Sequence, residues 1–120
     1  MLNNQNIFYK KIILIYGVGK SGLSAYKFLK KDNKAITYDD KINSDIKKIT
    51  TIKFDYIIIS PGIDIYKCKL SKFLKKNTKK IYTDLDIFYN HHKQNNKITI
   101  TGTNGKSTTA KILYEILKRQ

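Results

Sequence analysis

Thr101-Gly102-Thr103-Asn104-Gly105-Lys106-Ser107-Thr108 constrains this 120-residue chain more than any other stretch. It sets two glycines, a lysine and a hydroxyl between the alternating segment Ile98-Thr99-Ile100-Thr101 and an apolar stripe at helical spacing from Ala110 to Leu117. Strand, glycine turn and helix in that order predict a site for a nucleotide triphosphate. Gly102 and Gly105 allow N–H groups to converge on phosphate oxygens with no Cβ in the way. The first helical turn adds unpaired N–H groups and partial positive charge. Lys106 can then reach the terminal phosphates while the Ser107 hydroxyl ligates Mg²⁺. Gly102, Thr103, Asn104, Gly105, Lys106, Ser107 and Thr108 are therefore the candidate ATP-binding residues. Lys106 and Ser107 are the candidate catalytic pair, and Ser107 is the candidate metal ligand. Two residues separate the glycines where the general phosphate loop has four. A plain Gly-Asn turn with a solvent-facing lysine is the alternative reading.

A second glycine motif lies near the other end. Lys11 to Tyr16 is an apolar run, Gly17-Val18-Gly19-Lys20-Ser21-Gly22 follows, and Leu23 to Leu29 has helical spacing. In such a turn the first glycine permits a tight bend, the second admits a pyrophosphate, and the third lets helix and strand approach. A short strand, Ala35 to Tyr38, then ends at Asp39 and Asp40, where an acid can accept hydrogen bonds from a nucleoside. Glycines serving only the packing of a βα unit are the competing explanation.

Between these motifs, Phe54 to Ile59 is a continuous apolar run, as expected of a parallel strand buried on both faces. It stops at Ser60-Pro61-Gly62-Ile63, a turn at the carboxyl end of a strand, where open α/β sheets bind ligands. Lys69 to Lys76 predicts an amphipathic helix with Leu70, Phe73 and Leu74 inward. A short strand at Lys80 to Thr83 precedes a helix starting from Asp84 as N-cap, with Leu85, Ile87 and Phe88 toward the core. His91 to Lys97 has no apolar residue and predicts a linker. The expected organisation is a Rossmann-like domain at 1–92, a linker at 93–97, and at 98–120 the first strand, phosphate loop and helix of an ATP-binding domain. The fold class is α/β, a parallel sheet with flanking helices.

The formal charge of +15 raises the question of nucleic acid. Arg119 is the only arginine, however, and bidentate recognition of phosphate and bases favours arginine, so a nucleic-acid partner is not expected. Cys68 is the single cysteine, which excludes an internal disulfide and a thiolate cluster, and it reads as a small, partly buried apolar residue. His91 and His92 are adjacent, without metal-ligand spacing. No stretch approaches the ~20 apolar residues of a membrane span, and Met1 to Asn6 lacks a signal-peptide pattern. A cytoplasmic monomer without membrane association is expected.

The ordered set GVGKSGLS (Gly17 to Ser24), YDDK (Tyr38 to Lys41), SPGI (Ser60 to Ile63) and TGTNGKST (Thr101 to Thr108) resembles the muramyl ligase family of bacterial cell-wall synthesis. TDLDIF, Thr83 to Phe88, looks like the segment that family places before its inter-domain linker. The resemblance implies that Gly17, Gly19, Lys20, Ser21, Gly22, Asp39, Asp40 and Lys41 hold a UDP-sugar, with Ser60, Pro61 and Gly62 beside its diphosphate. It implies ATP and Mg²⁺ as cofactors. The implied reaction phosphorylates a carboxylate to an acyl phosphate, which an amine then attacks. The family member these motifs follow adds D-glutamate to UDP-N-acetylmuramoyl-L-alanine. The family's other ligases, and the folylpolyglutamate synthetases that share the ATP loop, are alternatives. Family members continue beyond the position of Gln120, so an N-terminal fragment, inactive alone, is expected. An NAD-dependent oxidoreductase would explain the first glycine turn and Asp39 but not the second loop. A basic binding module would explain only the charge.

Overall fold

The computed structural model describes residues 6–120. Met1 to Gln5, part of the segment read above as lacking a signal peptide, lie outside the described residues. Strands β1 (Ile12–Tyr16), β2 (Lys34–Tyr38), β3 (Tyr56–Ile59) and β4 (Ile81–Tyr82) form a four-stranded sheet in the order β2-β1-β3-β4, every pairing parallel. Helices α1 (Lys20–Leu29), α2 (Ile46–Thr50), α3 (Ser71–Lys76) and α4 (Asp84–His91) connect and flank the strands, and α5 (Lys106–Lys118) follows. This is the expected Rossmann-like α/β arrangement.

Central strand β1 pairs along its whole length with β2, Ile12 opposite Lys34 through Tyr16 opposite Tyr38, and over Ile13 to Tyr16 with β3. Side chains alternate faces along a strand, so the apolar runs of β1 and β3 fill two layers. Leu14, Tyr16, Ile57 and Ile59 pack on one face with Ile49 of α2 and Leu70 and Leu74 around α3. Ile13, Ile15 and Ile58 pack on the other with Ala25 and Leu29 of α1, Ile87 of α4 and Phe8. Each such aliphatic side chain contributes roughly 1.5–3 kcal/mol when fully buried. Phe8 also meets Tyr56 and Tyr82 edge-on, with ring centroids 5.0 and 5.7 Å away.

Several local features depart from expectation. Helix α2 was not predicted, because five residues with three polar ones carry too little periodicity, yet Asp45 caps it by accepting from the Lys48 N–H at 3.2 Å. Thr83, not Asp84, is the N-cap of α4: its N–H and its hydroxyl donate to Asp86 Oδ2 at 2.7 and 3.0 Å. Asp84 is the first helical residue, and of the three apolar residues expected inward only Ile87 is buried, while Leu85 and Phe88 are exposed. The Ile98-Thr99-Ile100-Thr101 stretch is not a strand, since among the described residues it pairs with no neighbour, and a strand exists only by its ladder. Leu70 and Leu74 are buried and Phe73 half-buried, as predicted. Cys68 is half-buried against the α3-side core, also as predicted.

Candidate functional site

Strands β1, β2 and β3 end at the same edge of the sheet, and the loops leaving them enclose an open crevice of about 430 Å³. The chain moves from β1 to β2 on one side and then crosses to β3 on the other, so the crevice lies at the reversal point where open α/β sheets take ligands. Gly17, Gly19, Asp39, Asp40, Lys41, Ser60 and Gly62, predicted from three separate motifs, all line it.

Gly17 holds φ +96°, and a Cβ there would sit 2.7 Å from Ser60 Oγ. The Ser60 hydroxyl donates to the Gly17 carbonyl at 3.2 Å, tying the two turns together. Gly22 serves packing: a Cβ would stand 1.7 Å from the Gly17 carbonyl oxygen. Gly19 begins α1 as its N-cap, and a Cβ there would meet nothing within 4 Å. The first turn of α1 begins beside the crevice and carries no acidic residue of its own, though the Asp84 carboxylate reaches Ser21 from α4.

Both aspartates are engaged. Asp39 accepts from the Val18 N–H at 3.0 Å and the Lys41 N–H at 2.9 Å. These two amides, Val18 first, hold its carboxyl below the usual aspartate range against a smaller opposing effect of burial. Asp40 accepts from the Tyr16 hydroxyl at 2.7 Å and the Lys69 N–H at 3.1 Å, while Lys69 Nζ donates to its carbonyl at 2.8 Å. Burial, then the bond to Asp40, pushes the Tyr16 hydroxyl far up, so it remains a donor. Asp39 is therefore a clamp on the first glycine turn, and Asp40 ties the β2 loop to the segment before α3.

The sign of the Asp39 effect gives a prediction. A carboxyl depressed in the folded state contributes stability above its unfolded pKa, about 3.9, and loses that contribution as pH falls through the lower folded value. Urea midpoints measured from pH 6 to pH 3 should therefore decline less steeply for Asp39→Asn than for the parent chain. Parallel declines would show that the Val18 and Lys41 bonds carry no weight.

Not every predicted residue joins the crevice. Lys20 and Pro61 are exposed and off its wall. Ser21 turns to α4, its hydroxyl donating to Asp84 Oδ2 at 2.6 Å in a separate hollow of about 320 Å³ between α1 and α4. Sequence reasoning missed Tyr16, Ile63, Asp64, Lys67 and Cys68 on the crevice wall. A legible signal was Asp64, whose carboxylate accepts from the Tyr66 N–H at 2.9 Å and so makes a local turn in the loop after Gly62.

The second glycine loop has the backbone its motif demands, with Gly102 at φ +149° and Gly105 at φ +75°, left-handed just before α5. Lys106, Ser107 and Thr108 open the helix, no acid lies in that turn, and residues 101–108 are all exposed. Free amides, a lysine and a hydroxyl at one helix start fit a phosphate chain with its cation. His91 ends α4 and His92 follows as its C-cap, with ring centroids 4.8 Å apart. Among the described residues no three His, Cys, Asp or Glu side chains gather as a metal site, and no helix is long and apolar enough to cross a membrane.

A parallel α/β sheet with a glycine turn at its reversal point defines a Rossmann-like domain. Its relatives are more specific. The chain is 36% identical over 126 residues to the UDP-N-acetylmuramoylalanine--D-glutamate ligase of Rickettsia prowazekii (strain Madrid E), covering 93% of this chain and 28% of that protein. It is 33% identical over 135 residues to the enzyme of that name from Caldicellulosiruptor saccharolyticus, covering 95% of this chain and 29% of the relative. To that of Aquifex aeolicus (strain VF5) it is 36% identical over 107 residues, 88% of this chain and 25% of the relative. The chain belongs to the family of these ligases, and it spans between a quarter and a third of the length of the relatives it matches. No protein-family model matches the chain, and no solved structure matches it.

Proposed function

We propose that residues 1–92 form a UDP-sugar-binding domain, that 93–97 link it onward, and that 98–120 contribute the phosphate loop of an ATP-dependent ligase adding D-glutamate to UDP-N-acetylmuramoyl-L-alanine. The observation that carries this reading is the convergence of Gly17, Gly19, Asp39, Asp40, Lys41, Ser60 and Gly62 on one crevice at the carboxyl edge of the sheet. The relatives' shared name supplies the acceptor and the amino acid.

In this reading the exposed amides at the start of α1 receive the diphosphate, and the crevice positions the rest of the nucleotide sugar. Lys20 and Pro61 assist from the rim, while Ser21 and Gly22 act through the placement of α1 against α4 and the glycine turn. Gly102 to Thr108 orient the phosphates of ATP, Lys106 offsets charge on the terminal group, and Ser107 offers its hydroxyl to Mg²⁺. When bound, ATP supplies the phosphoryl group that turns the substrate carboxylate into an acyl phosphate open to amine attack. The protein is proposed to act in the cytoplasm as a monomer, on small-molecule substrates, in peptidoglycan precursor synthesis. These 120 residues alone are proposed to give no ligase turnover.

Calorimetric titration of the 120-residue chain separates this from a nicotinamide-binding reading. UDP-N-acetylmuramoyl-L-alanine should bind measurably, and NADH should not. ATP should bind at least about tenfold more weakly than the UDP-sugar, because the exposed loop has no sheet behind it to hold its amides in place. NADH binding without UDP-sugar binding would overturn the assignment of the crevice.

A further inference from the structure

The opposite edge of the sheet carries its own charged hollow, outside the crevice and independent of the reading above. Where β1 and β2 begin, the segments before them enclose an open concavity of about 520 Å³. Five of its nine lining residues are lysines, Lys10, Lys11, Lys30, Lys31 and Lys34, and a single acid, Asp32, joins them. Basic residues make up 24 of the chain's 120, one in five, so this hollow concentrates them well beyond the general bias. The carboxyl-edge crevice is different in kind, with Asp39, Asp40 and Asp64 against Lys41 and Lys67.

The lysines are held on a fixed backbone. Lys10 N–H donates to the Asp32 carbonyl at 2.9 Å, and Lys34 N–H to the Lys11 carbonyl at 2.9 Å. Asn33 joins the two segments, accepting from the Lys11 N–H at 3.0 Å and donating to the Phe8 and Leu29 carbonyls, each at 2.9 Å. Lys10 is the one non-glycine residue among those described with a left-handed backbone, φ +53°, a conformation a lysine adopts only when its surroundings impose it. The carbonyl end of α1 accounts for a lysine at position 30 by its partial negative charge, but not for Lys10, Lys11 and Lys34, which come from the strand side. Among the described residues none of the five ammonium groups donates a hydrogen bond to an acceptor, and those of Lys10 and Lys30 lie over the rings of Tyr9 and Tyr26 at 5.3 Å.

We propose that this hollow binds a small soluble polyphosphate, an anion with several adjacent phosphate groups, through Lys10, Lys11, Lys30, Lys31 and Lys34. Point charges on flexible stems suit a compact anion of high charge density, where planar bidentate recognition would call for arginine. The site lies across the sheet from the crevice, so an anion held here stabilises the folded domain by mass action without competing for the crevice.

Inorganic tripolyphosphate is the ligand for the test, titrated into the full 120-residue chain by calorimetry and by amide chemical shifts. Expected are shifts centred on residues 10–12 and 30–34, and affinity that falls as sodium chloride rises. The triple variant Lys10→Ser, Lys30→Ser, Lys34→Ser should weaken binding at least about tenfold, each exposed charge accounting for roughly two- to fivefold. The charge-matched control Lys47→Ser, Lys48→Ser, Lys53→Ser should bind as the parent does. Lys10→Gly should raise the urea midpoint by relieving the left-handed strain and still weaken binding, which a merely structural lysine would not do. Equal losses in the two triple variants would assign the effect to net charge and overturn the proposal. Shifts confined to residues 17–19 or 102–108 would overturn it too, as would binding of a single-stranded oligonucleotide or an anionic-lipid vesicle with none of tripolyphosphate.

Discussion

Gly22→Ala is expected to destabilise the chain severely. On helix propensity alone the change should help, by about 1 kcal/mol, since alanine is the better helix former. Geometry decides otherwise, because the new Cβ would stand 1.7 Å from the Gly17 carbonyl oxygen, a backbone atom of the turn that leaves β1. Relief requires lifting α1 from the sheet, which uncovers Ala25 and Leu29 and loosens the layer formed by Ile13, Ile15 and Ile58. Such overpacking against backbone costs about 4 kcal/mol or more, a large share of the roughly 5–15 kcal/mol that holds a domain together. Urea denaturation followed by circular dichroism measures it. A variant within about 0.5 kcal/mol of the parent would mean that α1 is free to slide and that the glycine has no packing role.

Leu14→Ala should cost nearly as much for a different reason. Leu14 is fully buried on the central strand, opposite Ile36 of β2 and Ile57 of β3, and packs into the layer covered by α2 and α3. Truncation leaves a void that partners hydrogen-bonded on both sides cannot close, so a loss of about 3 kcal/mol is expected, within the 2–5 usual for such changes. Exposed Leu85, in contrast, should tolerate alanine with a change of roughly 0.5 kcal/mol or less. Equal losses at the two positions in a denaturant series would contradict the two-layer core.

What could be read beforehand divides along physical lines. The apolar runs of β1 and β3 were legible because burial on both faces restricts residue type strongly, the turns at Gly17 and at Gly102 and Gly105 because positive φ does, and the turn after β3 because Pro61 fixes its own φ. Phe88 and Leu85 misled because helical spacing reports a stripe without saying how much of it a short, four-stranded sheet can cover. The expected strand at 98–101 failed for a related reason, as alternation describes a face and not the neighbour that must pair with it. Ser21 was assigned to the crevice by its place in the glycine motif, but at the first turn of α1 it points to Asp84, 63 residues away in sequence, a contact that no local pattern encodes. The wall supplied by Lys67 and Cys68 was equally hidden, since it arises from the loop after Gly62.

The Asp39 carboxylate occupies the Val18 amide before any guest arrives. On the proposed reading, a phosphate would therefore turn to donors one step further along, at the opening of α1. The bend is already tied to Asp39 and Ser60, so on that reading less freedom is lost on capture, and association should proceed near the rate set by diffusion and orientation rather than waiting on loop closure.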